Sequence, residues 1–187
     1  MGMYKYLQKA WNEGSFNISE KMIEWRTQPP TVRIENPTRL DRAHALGYRA
    51  KKGIFIARQR VDRGGRKREK IRKGRRTKAR VHRQDLNMNY QWIAEQRAGR
   101  KFPNCEVLNS YFVGKDGNNY FYEVILIDIS SPEIKADKQL SWMTKGKKGR
   151  VERGLTSAAR KSRGLRYKGK GAEKMRPSAS AHGNKNK

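Results

Sequence analysis

The sequence predicts an α+β fold: a small four-stranded, mainly antiparallel sheet with packed helices, carrying long basic extensions. Three observations predict it. Period-two and helical apolar patterns follow one another in the order strand, helix, strand, helix, then a hairpin of two strands. Only 35% of the 187 residues are hydrophobic, and most of those lie in the middle of the chain. The positive charge, +28 in total, lies mainly outside that middle. Arg58 to Arg83 holds 14 Lys/Arg against Asp62 and Glu69, and Lys145 to Lys187 holds 15 against Glu152 and Glu173. Gln84 to Thr144 holds six bases and eight acids. The expected organisation is an N-terminal helical extension over 1–30, a core domain over 31–143 with an internal basic arm at 63–86, and a basic C-terminal extension over 144–187.

The elements follow in order. Tyr4, Leu7 and Trp11, and then Ile18, Met22 and Trp25, recur at helical spacing and predict two short helices closed by Pro29-Pro30. Thr31–Glu35 alternates as a short strand, with Val32 and Ile34 on one side. Thr38 and Asp41 have the spacing of a capping box, opening a helix that turns Leu40, Ala43 and Leu46 inward. Arg39, Arg42 and Arg49 would then face outward, and Gly47 would end the helix. Gly53–Arg63 reads as a strand. Phe55, Ala57 and Val61 share one face, and the other runs from Ile54 and Ile56 into Arg58 and Arg60, as if leaving a core for a polyanion. Beyond Gly64-Gly65 the arm has little apolar periodicity and reads as an extended loop.

Asn87 or Asn89 can cap a helix running to about Lys101, with Tyr90, Ile93, Ala94 and Ala98 on one face and Pro103 as its stop. Val107–Val113 and Tyr120–Asp128 are strands joined through Asp116-Gly117, and the run Val124–Ile127 suggests a central strand covered on both faces. Ser131 and Pro132 can start a short helix, after which Leu140, Trp142 and Met143 would fold back on the core. Val151–Arg176 is basic and interrupted by glycine, with one short helix capped by Thr156 or Ser157. Runs of Lys, Arg and Gly bury too little apolar surface to offset the ordering entropy, so both basic arms are expected to order on a partner.

The residue types argue against turnover. Cys105 is the only cysteine, which excludes an intrachain disulfide and fits a small apolar residue at a strand. His44, His82 and His182 are too scattered for a metal site, and no nucleophile elbow surrounds Ser157. Gly114–Gly117 reads as a turn, and Asp116, Glu123 and Asp128 as charges that solubilise a turn or edge. Lys168–Gly171 lacks the strand-to-helix context of a phosphate loop. No catalytic residue, cofactor, metal or small-molecule substrate is therefore expected. No run approaches the roughly 18 apolar residues of a membrane span, and the first residues lack the apolar stretch of a signal peptide, so the chain reads as intracellular and soluble with no membrane partner.

Dense charge of this kind needs a polyanion, and nucleic acid is the usual one. Arginine outnumbers lysine in the first block, which suits bidentate phosphate contacts and stacking on a folded nucleic acid. Charge and position select Arg49, Lys51, Lys52, Arg58, Arg60 and Arg63 around the second strand. In the arm they select Arg66, Lys67, Arg68, Lys70, Arg72, Lys73, Arg75, Arg76, Lys78, Arg80 and Arg83. In the C-terminal extension they select Arg150, Arg160, Lys161 and Lys168, with Tyr167 as a base-stacking candidate. An RNA-modifying enzyme would need a cofactor loop or paired acids and bases, and neither is present. A DNA-compacting protein would show repeated basic helices, which the hairpin counts against. An RNA-binding assembly factor and a non-specific nucleic-acid compactor remain as alternatives.

Three long motifs carry a family resemblance: Asn36–Ala43 with Leu46-Gly47-Tyr48, Arg100–Asn104 with Val107–Tyr111, and Arg153–Ala158 with Ser162–Arg166. In them the chain resembles the fifteen-e family of large-subunit ribosomal proteins of archaea and eukaryotes, over nearly its whole length and in order. The short C-terminus looks archaeal. The resemblance implies a structural ribosomal protein without enzymatic activity, seated in large-subunit rRNA by a small α+β domain and long basic extensions. It implies rRNA contact for Arg39, Arg42, Arg153, Arg163 and Arg166, with neighbouring large-subunit proteins as further partners, a cytoplasmic location on the ribosome, and no homo-oligomer. Cys105 stands where the family has an aliphatic residue, and Ala159 where a glycine is expected.

Overall fold

The computed structural model describes residues 2–67, 73–74, 83–84, 88–146 and 148–166. Its strands are β1 (Thr31–Ile34), β2 (Ile54–Asp62), β3 (Arg66–Lys67), β4 (Arg83–Gln84), β5 (Cys105–Lys115) and β6 (Asn119–Asp128). The first, second, fifth and sixth form one antiparallel sheet in the order β1-β2-β6-β5. The α+β expectation therefore holds. β3 and β4 pair with each other at the root of the basic arm, so the expected loop begins as a two-stranded ladder. The central position of β6 explains its apolar run: Val124, Ile125, Leu126 and Ile127 are fully buried, as a strand with a layer on each face requires.

The helices are α1 (Met3–Asn12), α2 (Ile18–Thr27), α3 (Leu40–Ala45), α4 (Tyr90–Lys101), α5 (Pro132–Lys135) and α6 (Ser157–Ser162), with a 3-10 turn at Ser141–Met143. One sheet face packs Ile56, Tyr111, Phe121 and Ile125 against Trp25 of α2, Ala43 of α3, Ile134 of α5 and the buried Met143. The other face packs Ala57, Val107, Val124 and Leu126 against Ala98 of α4 and Val151. Asn89 caps α4, accepting from the Trp92 N–H at 2.8 Å. Past the end of α3, Gly47 takes φ +99, while Tyr48 N–H returns to the Ala43 carbonyl and Gly47 N–H to that of His44. That left-handed cap is the Schellman arrangement glycine favours.

Three details differ from the sequence reading. Thr38 and Asp41 form no capping box: α3 starts after Arg39 with no side-chain cap. The Thr38 N–H instead donates to the buried Glu123 carboxylate at 3.1 Å, and Asp41 pairs with Arg39 at 3.1 Å. Ser131 stands before α5 but caps nothing, because its hydroxyl donates to Glu133. Trp142 does not fold back with Leu140 and Met143: it is 41% exposed, with the Arg150 guanidinium 5.0 Å from its ring.

The largest difference concerns the C-terminal segment. Residues 148–166 are not left to order on a partner. Val151, Gly154, Thr156, Ala158 and Ala159 are buried, and Thr156 caps α6 by accepting from Ala159 N–H. Trp92 of α4 donates its indole N–H to the Val151 carbonyl at 2.9 Å. Asn89 donates to the Ala158 carbonyl, and the Ser162 hydroxyl accepts from the Asn89 N–H, each at 3.0 Å. Gly154 has φ +68, and a Cβ there would stand 2.9 Å from the Arg163 side chain. Two buried carboxyls complete the attachment. Glu106 of β5 accepts from the backbone N–H of Gly149 at 2.6 Å and of Arg150 at 3.3 Å. Glu95 of α4, fully buried, accepts from the hydroxyls of Thr156 and Ser110.

Burial raises the Glu95 pKa above its ordinary 4.5, and the two hydroxyls and the Arg150 charge pull it back only in part. The native state then holds that proton more tightly than the unfolded chain. The resulting stabilisation is present below about 4.5 and is lost as pH rises through the higher native value. A Glu95→Gln variant removes this dependence. Between pH 4 and pH 8, denaturant unfolding should show wild type losing stability relative to the variant. Parallel pH profiles would mean that Glu95 titrates alike in both states.

Candidate nucleic-acid interface

The arginines divide by what they touch. Arg39 does not face outward: its side chain is 14% exposed, pairs with Asp41, and lies 4.4 Å from the Trp11 ring. It therefore fastens α1 to the start of α3. Arg58 and Arg60 do not carry β2 out of the core, because α2 covers that face. The Arg58 guanidinium lies 4.2 Å from the Trp25 ring and donates to the Gln28 side chain. Arg60 donates to the Arg26 carbonyl at the end of α2, and burial holds the Arg58 pKa below its ordinary value. Such cation–π contacts contribute about 0.5–2 kcal/mol, more as water is excluded. Arg150 is likewise turned inward, donating to the Val107 carbonyl at 2.7 Å beside Glu95 and Glu106, and burial lowers its pKa too. Lys51 pairs with Asp137 at 2.9 Å. Arg163, half-buried, donates to the Gly154 carbonyl at 3.1 Å.

The other described candidates are on the surface. Arg42, Arg49 and Lys52 lie exposed around α3 and the turn into β2, Arg49 donating to Gln139. Arg63 is exposed at the end of β2, where it donates to the carbonyls of Asp116 and Gly117 in the hairpin turn. Lys73, Arg153, Arg160, Lys161 and Arg166 are exposed as well, Arg153 bonding the Lys148 carbonyl and Arg166 the Ser157 hydroxyl. Arg66, Lys67 and Arg83 are placed by their backbone in the arm-root ladder. Arg68, Lys70, Arg72, Arg75, Arg76, Lys78, Arg80, Tyr167 and Lys168 lie outside the described residues, as do His82 and His182. Sequence reasoning passed over Arg97, Arg100 and Lys101, which are exposed on α4. They fall in the segment whose summed charge is nearly neutral, and the sum concealed them.

The acids explain part of that neutrality. Glu123 does not solubilise an edge: it is fully buried on β6, taking the Thr38 N–H and the Tyr111 hydroxyl. Burial raises its pKa, while these partners and Arg58 lower it. Burial also keeps the Tyr111 hydroxyl protonated and pushes the Cys105 thiol up to about 11. Cys105 begins β5 against the apolar cluster, as expected of a small apolar residue. His44 lies between Tyr4 and Tyr48, tilted against the first ring and edge-on to the second. Among the described residues no group of His, Cys, Asp or Glu is arranged to hold a metal, and no helix is long and apolar enough to cross a membrane.

A sheet domain with exposed arginines at the arm root, on α3 and along the C-terminal segment defines a class: a folded polycation that presents charge from a rigid frame. Comparison with known proteins makes this specific. A family model described as Ribosomal L15 matches residues 2–182, and the chain belongs to that family, L15e. It is 51% identical over 191 residues to the large ribosomal subunit protein eL15 of Methanocella arvoryzae, covering 98% of this chain and 97% of the relative. To the eL15 of Methanospirillum hungatei it is 50% identical over 192 residues, covering 99% and 98%. The family is one of ribosomal proteins, not of enzymes, and both relatives are archaeal.

The division of arginines can be tested by substitution. Arg39→Ala should destabilise the domain by about 1–3 kcal/mol in denaturant unfolding, since it leaves the buried Asp41 unpaired and Trp11 uncovered. Arg42→Ala should shift the midpoint within error and weaken RNA binding. The reverse pattern would return Arg39 to the interface.

Proposed function

We infer that this chain is a structural constituent of the large ribosomal subunit, binding and stabilising folded large-subunit rRNA through its basic extensions. The observation that carries the reading is the full-length match to the L15e family, with about half of all residues identical to two archaeal large-subunit proteins. The frame described above gives it a physical form. The sheet and its covering helices hold Arg42, Arg49, Lys52 and Arg63 on the body of the domain and Arg153, Arg160, Lys161 and Arg166 on the docked C-terminal segment. Phosphates on a folded RNA are fixed in space, and cations held in register lose less entropy on meeting them than cations on a free chain. The arm beyond β3 and the tail beyond Arg166 supply further charge: residues 167–187 carry six bases and one acid. The setting that follows is the cytoplasmic ribosome, beside other large-subunit proteins and not as a homo-oligomer.

Salt dependence separates frame from tail. Each phosphate contact contributes about −0.7 to −0.9 to the log–log slope of affinity against salt. A chain ending at Arg166 keeps the docked segment and loses six bases, so its slope on large-subunit rRNA should flatten by up to about 4–5 units. Ending the chain at Thr144 should also unfold the α4 face, because it removes Val151 and Thr156. An unchanged slope for the chain ending at Arg166 would show that the tail takes no part in binding.

A further inference from the structure

At the root of the arm the described residues assemble an aromatic cluster that the charge argument does not use. Tyr90 of α4 and Tyr120 of β6 are stacked, with ring centroids 4.7 Å apart, and Tyr122 lies 6.3 Å beyond Tyr120. The Tyr90 hydroxyl accepts from the Gly64 N–H at 2.9 Å, tying the cluster to the strand that leads into the arm. Arg63 lays its guanidinium 5.2 Å from the Tyr120 centroid while its NH1 donates to the hairpin-turn carbonyls. These four side chains have packing partners that account for them. Phe112 is more open than the three tyrosines. It meets Tyr120 and Tyr122 edge-on, yet remains 41% exposed at the end of the cluster. The backbone beside it is irregular: Phe112 pairs with Tyr122 and Gly114 with Phe121, leaving Val113 as an extra residue. Bulges of this kind re-aim side chains and recur at binding sites. An open groove next to the cluster is lined by Arg63, Gly64, Tyr90, Asn118 and Tyr120.

We propose that Phe112, with Tyr120 and Arg63 beside it, is a stacking platform for one unpaired base of the large-subunit rRNA. Three features on this face favour a nucleobase over a protein side chain. The exposed ring meets Tyr120, which itself carries the Arg63 guanidinium, and aromatic rings and arginine planes are the surfaces on which splayed-out bases stack. The platform is continuous with the arm root, which lies within the Arg58–Arg83 stretch of net charge +12, so a phosphate backbone drawn to that stretch passes over it. The groove is edged by an exposed asparagine and by backbone, which offer hydrogen bonds to a base edge. This inference rests on the rRNA-binding reading above and deepens it.

Stacking and phosphate contact respond differently to salt, which makes the test selective. Affinity of the full chain for large-subunit rRNA is measured across a salt series for wild type, Phe112→Ala, Phe112→Leu and Phe112→Tyr, with unfolding midpoints to confirm that each variant is folded. Phe112→Ala should lose roughly 5- to 100-fold in affinity at every salt concentration, with the log–log slope unchanged. Phe112→Tyr should restore binding and Phe112→Leu should not, because the leucine keeps the apolar area without the π face. Wild-type affinity in Phe112→Ala overturns the platform alone. So does rescue by leucine, or a loss that appears only when another subunit protein is present, since both point to a protein docked on Phe112. Failure of the wild-type chain to bind the rRNA at all overturns both this inference and the reading beneath it.

Discussion

Three buried carboxyls hold this fold together. Glu95, Glu106 and Glu123 lie in a chain of net charge +28, at 0%, 6% and 0% exposure, and each receives groups from a different segment than its own. Glu123 takes the Thr38 backbone between β1 and α3, Glu106 takes Gly149 and Arg150, and Glu95 takes Thr156 and Ser110. A carboxyl withdrawn from water costs several kcal/mol unless hydrogen bonds replace its hydration. Only the native docking of these segments supplies those bonds. The acids therefore act as sockets, and a chain whose basic segments repel one another closes around them.

The same logic assigns the arginines. Guanidinium groups reach the rings of Trp11, Trp25 and Trp142 from Arg39, Arg58 and Arg150, and the first two contacts join segments distant in sequence. Arg26 of α2 adds an ion pair to Asp116 in the hairpin turn at 3.0 Å. Cations spent in this way stiffen the frame and leave the surface to others: Arg42, Arg49, Arg153, Arg160 and Arg166. A single residue type thus builds the scaffold and forms its working surface. The difference lies in whether an aromatic ring or carboxylate of the chain itself stands within reach.

What the sequence made legible was local. The α4 cap at Asn89, the Asp116-Gly117 turn, the apolar run of β6, the glycine end of α3 and the Thr156 cap are each set by residues a few positions apart, and each stands as read. What was not legible was long-range. Thr38 and Asp41 have the spacing of a capping box, but Glu123, 85 residues away, takes the Thr38 N–H instead. Arg39 and Arg58 read as outward because nothing nearby in sequence announces Trp11 or Trp25 above them. The 148–166 segment read as free because its summed charge outweighed Val151, Thr156, Ala158 and Ala159, whose burial depends on α4. The expected glycine position, Ala159, is fully buried within the protein.

The claim that carboxyl sockets fix the basic segments is tested most directly by amide hydrogen exchange on the free protein. The N–H groups of Thr38, Gly149 and Arg150 belong to no helix or strand ladder, and their acceptors are Glu123 and Glu106. They should exchange with protection approaching that of Val124 to Ile127 in β6, and Glu106→Ala should release Gly149 and Arg150 while leaving Thr38 protected. Exchange of all three at the rate of an open loop in the wild-type chain would contradict the account.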